Sequence, residues 1–339
     1  MRTLHFIVPA GIDDPTRPSG GNAYDRRARD GLAVAGWTVL MHEVSGPHAV
    51  LADALARIPD GSVVLLDGLV ASPAPDVLLP QSRRLRLVVL VHMPLGQDGP
   101  DEREAAALSA ATSVITTSAW ARQALLDRYE LPGERVHVAE PGVEAAELVP
   151  GTATGESLLS VAAVIPGKGH DVLLDALATL NGRRWRCRCV GALERDPAYV
   201  ATLRRRALDR GMDGRMRFSG ALAEDDLARS YRAADLLVLP SRSETYGMVV
   251  TEALARGLPV VAAEVGGVSE AMGHGAGGTR PGLLVSGDDP AALGDALRDW
   301  LEDPGLRRRL RRAARERRES LPAWSATTAA LADVLERSA

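Results

Sequence analysis

Short apolar segments alternate with amphipathic segments through the first 140 or so residues of the chain. The apolar segments have the length of strands, and they lie at 4–8, 37–41, 63–66, 87–91, 113–117 and 135–138. Continuous apolar runs of this kind are typical of parallel strands that are covered on both faces. Helix-compatible segments lie between them, at 22–35, 48–57, 101–110 and 119–129. The alternation predicts right-handed βαβ units and a doubly wound parallel sheet.

The same alternation starts again after a stretch of turn-forming and small polar residues at 141–157. The second series predicts strands at 157–164, 185–190, 215–220, 235–240 and 258–263, and helices at 169–180, 197–210, 225–233 and from about 247. We therefore predict an α/β protein in which two doubly wound, Rossmann-like domains face each other across a cleft. The first domain is expected over 1–148 and the second over 149–323, with functional side chains just after the strands.

The C-terminal part of the chain reads as helical throughout. Helices are predicted at 290–302, 304–319 and 324–337, and the last one, 324–339, is expected to pack back on the first domain. The middle helix carries eight arginines between Arg307 and Arg318. We interpret them as a solvated helix face beside an apolar stripe. A surface for nucleic acid or lipid headgroups is the alternative.

Composition narrows the class of protein. The chain is 46% apolar with a net charge of −4, which excludes a disordered polymer. It contains no run of eighteen apolar residues, and a predicted strand begins directly after Arg2, so we expect neither a membrane span nor a secretory signal. Cys187 and Cys189 would lie on one face of one strand, which favours buried thiols in a reducing cytoplasm over a disulfide or zinc site.

Candidate chemistry lies just after the predicted strands. Of the 40 basic residues one is a lysine, Lys168, and it follows the first strand of the second domain, where a compact point charge would suit a phosphate group. Gly20 and Gly21 precede a helix that Asn22 would cap, and a helix N-terminus favours an anion. His92 ends a long buried strand and would hydrogen-bond a polar ligand over the cleft.

The densest stretch of candidate residues is 239–270. Glu244 leaves a strand, and Gly247 and Met248 begin the following helix, whose first amides are free to bind an anion. Glu252 lies on that helix, eight residues after Glu244. One carboxylate in the loop and one on the helix would accept hydrogen bonds from two sets of sugar hydroxyls.

This stretch resembles the E-x7-E signature of the retaining glycosyltransferases of family 4, which have the two-domain GT-B fold. The resemblance covers nearly the whole chain. The motifs that carry it elsewhere are Gly20-Gly21, the strand end at His92, TSAW at 117–120, PGV at 141–143, KGHDVLLDAL at 168–177, GGVSE at 266–270 and a tail containing Trp324.

The resemblance implies a role for each matching position. The main chain of Gly21, beside Gly20, would contact the diphosphate of a nucleotide-sugar donor, and His92 would contact the transferred sugar. Lys168 would neutralise the leaving phosphate.

The remaining roles fall on the stretch after 239. Glu244 would bind sugar hydroxyls, and Glu252 would bind the ribose hydroxyls. The main chain of Gly247, Met248 and Val249 would hold sugar and phosphate. Glu244, Lys168 and His92 are thus the predicted catalytic residues, and no metal or cofactor is implied.

Three departures from the family pattern matter, one of them the turn near the hinge, which is Glu140-Pro141-Gly142-Val143-Glu144 instead of N-G-V-D. An arginine that usually shares the diphosphate stands five or six residues before the lysine, where this chain has Ala162 and Ala163. Lys168 would therefore carry more of the phosphate charge. The first domain is also short for the family, which suggests a small acceptor.

We therefore predict a cytoplasmic, metal-independent, retaining glycosyltransferase that moves a hexosyl group from a nucleotide diphosphate sugar to a hydroxyl of a small soluble acceptor. No nucleic-acid partner and no membrane association are expected. The alternatives are a nucleotide-sugar epimerase or hydrolase that uses the same cleft, and a non-catalytic sensor of nucleotide sugars. A nicotinamide-dependent oxidoreductase would need G-x-G-x-x-G in the first turn, which is absent.

Overall fold

A computed structural model describes residues 2–14, 18–46, 48–95, 99–180 and 182–339. The chain divides into two compact units, one formed by Met1–Gly142 with Pro322–Ala339 and the other by Val143–Leu321. Each unit contains a six-stranded sheet in which all neighbouring strands are parallel. The predicted α/β class with two doubly wound sheets is confirmed.

The twelve strands are β1 Arg2–Pro9, β2 Trp37–Val44, β3 Val63–Asp67, β4 Arg86–Val91, β5 Ser113–Thr116, β6 Val136–Val138, β7 Ser157–Val161, β8 Arg186–Val190, β9 Met216–Phe218, β10 Leu236–Leu239, β11 Val260–Ala263 and β12 Gly282–Val285, as found in the described residues. The first sheet has the order β2-β1-β3-β4-β5-β6, and the second has the order β12-β11-β10-β7-β8-β9. In both sheets the chain reverses its direction of winding, which is where ligands bind in open α/β sheets.

The α-helices of the described residues are α1 Gly20–Val34, α2 His48–Ala56, α3 Gly68–Ala71, α4 Pro75–Gln81, α5 Glu102–Ala110, α6 Ala119–Arg128, α7 His170–Ala178, α8 Pro197–Asp209, α9 Glu224–Arg232, α10 Met248–Ala255, α11 Val268–Met272, α12 Pro290–Glu302, α13 Pro304–Arg318 and α14 Trp324–Ser338. Short 3₁₀ turns lie at Gly133–Arg135 and Pro166–Lys168. None of these helices, within the part of the chain described, has the length and hydropathy needed to cross a membrane.

The first unit has two buried apolar clusters, and one of them lies between its sheet and helices α1 and α14. Tyr24, Ala28 and Leu32 follow one another at helical spacing on α1 and are buried. Leu331 and Leu335 of α14 belong to the same apolar cluster. The last helix therefore completes the first unit, although the whole second unit precedes it in sequence.

The elements that the sequence analysis missed are short. Strand β12 has four residues, and α3, α4 and α11 have four, seven and five. Pro75 begins α4 and Pro80 lies inside it, which hides the apolar period of a helix. Both cysteines are buried and free on β8, as predicted.

The arginines of α13 correct the interpretation of a solvated face. Arg307 is buried and donates to the carbonyl oxygens of Trp300 and Leu301 at 2.7 and 2.9 Å. Arg311 pairs at 2.9 Å with Asp235, which is also buried. The arginines of α13 that bind carbonyl or carboxylate oxygens of other elements in the second unit are Arg307, Arg311, Arg317 and Arg318. Four of the eight arginines of α13 therefore bind other elements of the second unit and stabilise it.

Candidate functional site

Lys168 and Glu244 meet at the carboxyl edge of the second sheet. Lys168 ends the 3₁₀ turn after β7, and its Nζ donates to Glu244 Oε1 at 2.7 Å. The hydroxyl of Ser241 donates to the same oxygen at 2.8 Å. The Lys168 and Glu244 side chains are 23% and 13% exposed, so both remain accessible from one side. Strands β7 and β10 are neighbours, which brings the two loops together although 76 positions separate the residues.

Arg242 fixes the position of the Lys168 turn. Its amide donates to the carbonyl of Gly167 at 2.9 Å, and its guanidinium binds both carboxylate oxygens of Asp171 at 2.9 and 2.8 Å. The hydroxyl of Tyr199 donates to Asp171 Oδ1 at 2.7 Å. Burial alone would raise the pKa of Asp171, but the hydrogen bonds from Arg242 and Tyr199 hold it well below its ordinary value. Arg242, Asp171 and Ser241 were not among the residues predicted from the sequence.

Gly169 allows the two loops to approach each other. Its φ is +66°, and a Cβ atom at this position would lie 2.0 Å from the carbonyl oxygen of Pro240. Any side chain would therefore force the Lys168 turn away from the loop that carries Glu244.

The N-terminus of α10 lies next to Glu244 in the chain. Gly247, with φ +91°, reverses the backbone so that α10 begins at Met248. The amides of Met248 and Val249 belong to the first turn, where amides have no acceptor within the helix, and they favour an anion. The amide of Gly267 donates to the Glu244 carbonyl at 3.3 Å, which ties the loop after β11 to this turn.

Glu252 is held on α10 by an aromatic residue of α9. The hydroxyl of Tyr231 donates to Glu252 Oε2 at 2.8 Å, and the Arg256 guanidinium carbon lies 4.5 Å from the centre of the Tyr231 ring. Burial raises the pKa of Glu252 above its ordinary value. Glu252 is half-buried, and its carboxylate is oriented before any ligand binds.

The first unit contains a second group of polar side chains. His92 follows β4, and its Nε2 lies 2.8 Å from Oδ1 of Asp25 on α1 and 3.9 Å from Oδ2 of Asp67 at the end of β3. Both aspartates are buried, and the His92 side chain is 13% exposed. Sequence reasoning identified His92 and missed both aspartates. The available signal was that Asp67, like His92, directly follows a buried strand.

The charges of this group depend on one another. Burial would lower the pKa of His92, but the carboxylates of Asp25 and Asp67 outweigh burial and raise it to about 9. Burial raises the pKa of Asp67 to about 7, against the opposing effect of His92. The three side chains are also of metal-binding types, with ligand atoms within 4.8 Å of one another. The expectation that no metal takes part stays a prediction.

Gly20 and Gly21 form the first turn of α1. Ser19 caps this helix, since its hydroxyl accepts from the Asn22 amide at 3.0 Å; the prediction that Asn22 is the cap is therefore wrong. A Cβ atom on Gly21 would lie 3.4 Å from Cδ2 of His92. The structure thus brings two predicted site residues of the first unit, Gly21 and His92, into contact distance.

Sequence comparison points to one family for the second unit. Residues 152–317 match the family model described as "Glycosyl transferases group 1". A D-inositol 3-phosphate glycosyltransferase of Frankia alni is 36% identical over 242 residues, which cover 65% of this chain and 57% of that protein. The protein of the same name from Corynebacterium efficiens is 34% identical over 62% of this chain and 53% of its own length. The chain thus spans little more than half the length of these relatives.

Similar solved structures extend over both units. A sucrose-phosphate synthase from Thermosynechococcus elongatus superposes with a TM-score of 0.81 at 24% identity, covering 99% of each chain. Anabaena HepE in complex with UDP-glucose gives 0.80 at 19% identity, covering 99% of this chain and 100% of its own. At these identities the likeness establishes the fold. The chain has the GT-B fold, and its second unit contains the segment that matches the model of the group 1 glycosyl transferases.

Proposed function

We propose that the protein is a retaining glycosyltransferase of family 4 that transfers a hexosyl group from a nucleotide diphosphate sugar to a hydroxyl of a small soluble acceptor in the cytoplasm. The observation that carries the proposal is the Lys168–Glu244 pair, held by Arg242 beside the N-terminus of α10. It lies within the segment that matches the glycosyl transferase model. The names of the sequence relatives support glycosyl transfer.

Lys168 has the donor capacity that a leaving phosphate needs. An ammonium group has three N–H donors, and Glu244 Oε1 accepts one of them. The others remain for phosphate oxygens, and the amides of Met248 and Val249 would add the positive end of a helix. Glu244 Oε2 would bind a sugar hydroxyl, and Glu252, oriented by Tyr231, would bind the ribose hydroxyls.

The proposed reaction needs no reactant other than its two substrates, the donor and the acceptor. The bond between the anomeric carbon and the β-phosphate oxygen breaks, and its electron pair stays on the phosphate. The acceptor oxygen forms the new bond from the same face of the sugar, and its proton passes to the leaving phosphate oxygen. Lys168 and the amides stabilise the charge that develops on that oxygen, each at a level of roughly 3 kcal/mol when preorganised.

Metal independence follows from the same charges in this proposal. Because Ala162 and Ala163 stand where the family usually has an arginine, Lys168 and the helix amides would neutralise the negative charge of the diphosphate. Turnover should therefore be the same with a chelator as without one, and a requirement for Mg²⁺ or Mn²⁺ would contradict this part of the proposal.

The donor is testable with a panel of UDP, GDP, ADP and TDP sugars. A donor that binds the native state raises the melting temperature, and UDP-glucose comes first because HepE was solved in complex with it. Turnover is then measured with and without acceptors, beginning with inositol 3-phosphate because of the relatives' names. Product with the donor's anomeric configuration is expected. Donor consumption that no acceptor accelerates would instead identify a hydrolase or epimerase.

A further inference from the structure

Asp25 stands on the inner face of α1, where an apolar residue would complete the packing. Its neighbours on that face, Tyr24, Ala28 and Leu32, are buried in the apolar core, and Asp25 itself has no exposed surface. A buried carboxylate without a partner is strongly destabilising, and even a paired one is often less stable than an apolar side chain of the same size. The stability of the first unit therefore does not account for Asp25.

The partner of Asp25 is the one predicted catalytic residue of this unit. Asp25 Oδ1 lies 2.8 Å from His92 Nε2. The titratable groups that face the His92 ring are Asp25 from α1, Asp67 from the end of β3 at 3.9 Å, and Tyr24, whose ring centre lies 5.2 Å from that of His92. The Tyr24 hydroxyl donates to the carbonyl of Ala139 at 2.9 Å, so it is directed to Ala139 and not to His92. Both acidic neighbours of His92 are thus aspartates, at 2.8 and 3.9 Å from its Nε2.

We propose that Asp25 is a positioning residue that keeps His92 protonated and fixes its ring against the main chain of Gly21, with Asp67 as a supporting carboxylate. His92 then acts as a cationic hydrogen-bond donor beside the first turn of α1. Its charge adds to that of the amides at this helix N-terminus, and together they attract the anionic part of a ligand. This inference rests on the proposed function insofar as His92 contacts the donor.

The geometry of Gly21 agrees with this role. Because glycine has no Cβ, a face of the His92 ring near Cδ2 stays open, where a methyl group would lie at 3.4 Å. Asp67 lies at the end of β3, where its Oδ1 accepts from the Leu69 amide at 2.7 Å and its Oδ2 lies 3.9 Å from His92 Nε2. The ring is therefore surrounded by two elements of the first unit, α1 with Asp25 and Gly21, and the end of β3 with Asp67.

The charge of His92 is measurable without an activity assay. In the full chain labelled with ¹⁵N-histidine, the ring resonances are followed from pH 5 to 10, and His92→Gln identifies the His92 signals. We expect His92 to titrate near pH 9 in the native protein, where its pKa is raised to about 9 by Asp25 and Asp67. In Asp25→Asn, which keeps the size of the side chain, the titration should move clearly to lower pH because Asp67 alone then opposes the effect of burial. An unchanged titration in Asp25→Asn would overturn the proposal.

The pH profile of turnover separates positioning from a structural effect. At pH 8 the native His92 is mostly protonated and the Asp25→Asn ring is much less so, so turnover should fall about tenfold, with a smaller loss at pH 6. In His92→Gln the fall of turnover at alkaline pH should be absent. Asp67→Asn should shift the pH of this fall less than Asp25→Asn does. A loss in Asp25→Asn that is equal at all pH values would mean a structural role. If the chain shows no turnover with any donor, the proposed function fails while the titration still tests this inference.

Discussion

Lys168 Nζ donates to Glu244 Oε1 at 2.7 Å, so the chain's one lysine is already paired with the carboxylate proposed to bind the transferred sugar. The pair holds both side chains at the carboxyl edge of the second sheet before a ligand arrives. The cost of removing two largely buried charges from water offsets their attraction, so the pair is weak evidence for stability. The ion pair with Glu244 orients the lysine and leaves its remaining hydrogen-bond donors in place.

Lys168→Ala should lower turnover about hundredfold or more, because an interaction that strengthens as charge develops on the leaving phosphate is lost. The melting temperature should change by only a few degrees. Lys168→Arg is the matched variant, since it keeps the charge but replaces a compact ammonium with a planar group. A loss below about threefold in Lys168→Ala would reject the role of the residue.

Glu244→Gln and Glu252→Gln should separate in their kinetics. Glu244 is proposed to bind the sugar that reacts, so its substitution should mainly lower kcat. Glu252 is proposed to bind ribose, whose contacts are equal in the ground state and the transition state, so its substitution should mainly raise the KM for the donor. Steady-state kinetics with varied donor measure both. Wild-type constants in both variants would show that the site has been assigned to the wrong residues.

Arg242→Lys should weaken donor binding although Arg242 is not proposed to contact the donor. A lysine cannot bind both oxygens of Asp171, which Arg242 does at 2.9 and 2.8 Å, so the Lys168 turn loses a fixed point. The KM for the donor should rise about tenfold. Arg308→Lys on the exposed face of α13 is the control. Equal constants for the two variants would mean that the turn is held without Arg242.

The placement of Lys168 and Glu244 was predictable because it follows from one rule, that side chains directly after neighbouring parallel strands share an edge. The residues that complete the site were not. Arg242 reaches Asp171 across 71 positions, and His92 reaches Asp25 across 67. Apolar periodicity predicts neither pair. Asp25, for example, occupies a position on α1 that the helical period assigns to the core. Short elements such as β12 lack enough residues to show a period at all.

His170 should make the second unit sensitive to acid. Burial lowers the pKa of His170 to about 4, and neither ring nitrogen has a hydrogen-bond partner among the described residues. Below pH 6.5 the unfolded chain binds a proton that the folded ring does not, so stability falls as the pH drops from about 6.5 to 4, by about 3 kcal/mol in total. Denaturant unfolding of the native chain and His170→Leu at pH 7 and pH 4.5 measures the difference. If both chains lose the same free energy, His170 is protonated in the folded state.

The protein should not bind anionic membranes at physiological salt. On α1, Arg29 pairs with Asp13 and Asp30 at 2.8 Å, so the charges of this helix largely cancel. On α13, Arg312 pairs with Glu316 at 2.8 Å, and the exposed arginines for which no ion pair is found in the described part of the chain are Arg308, Arg309 and Arg315. At roughly 1 kcal/mol for each basic residue near an anionic surface, three such residues give at most weak binding. Sedimentation with phosphatidylserine-rich vesicles tests this, with phosphatidylcholine vesicles as the control. Stoichiometric pelleting that disappears when Arg308, Arg309 and Arg315 are changed to glutamine would show that this face of α13 binds membranes, and the proposed soluble acceptor would then have to be reconsidered.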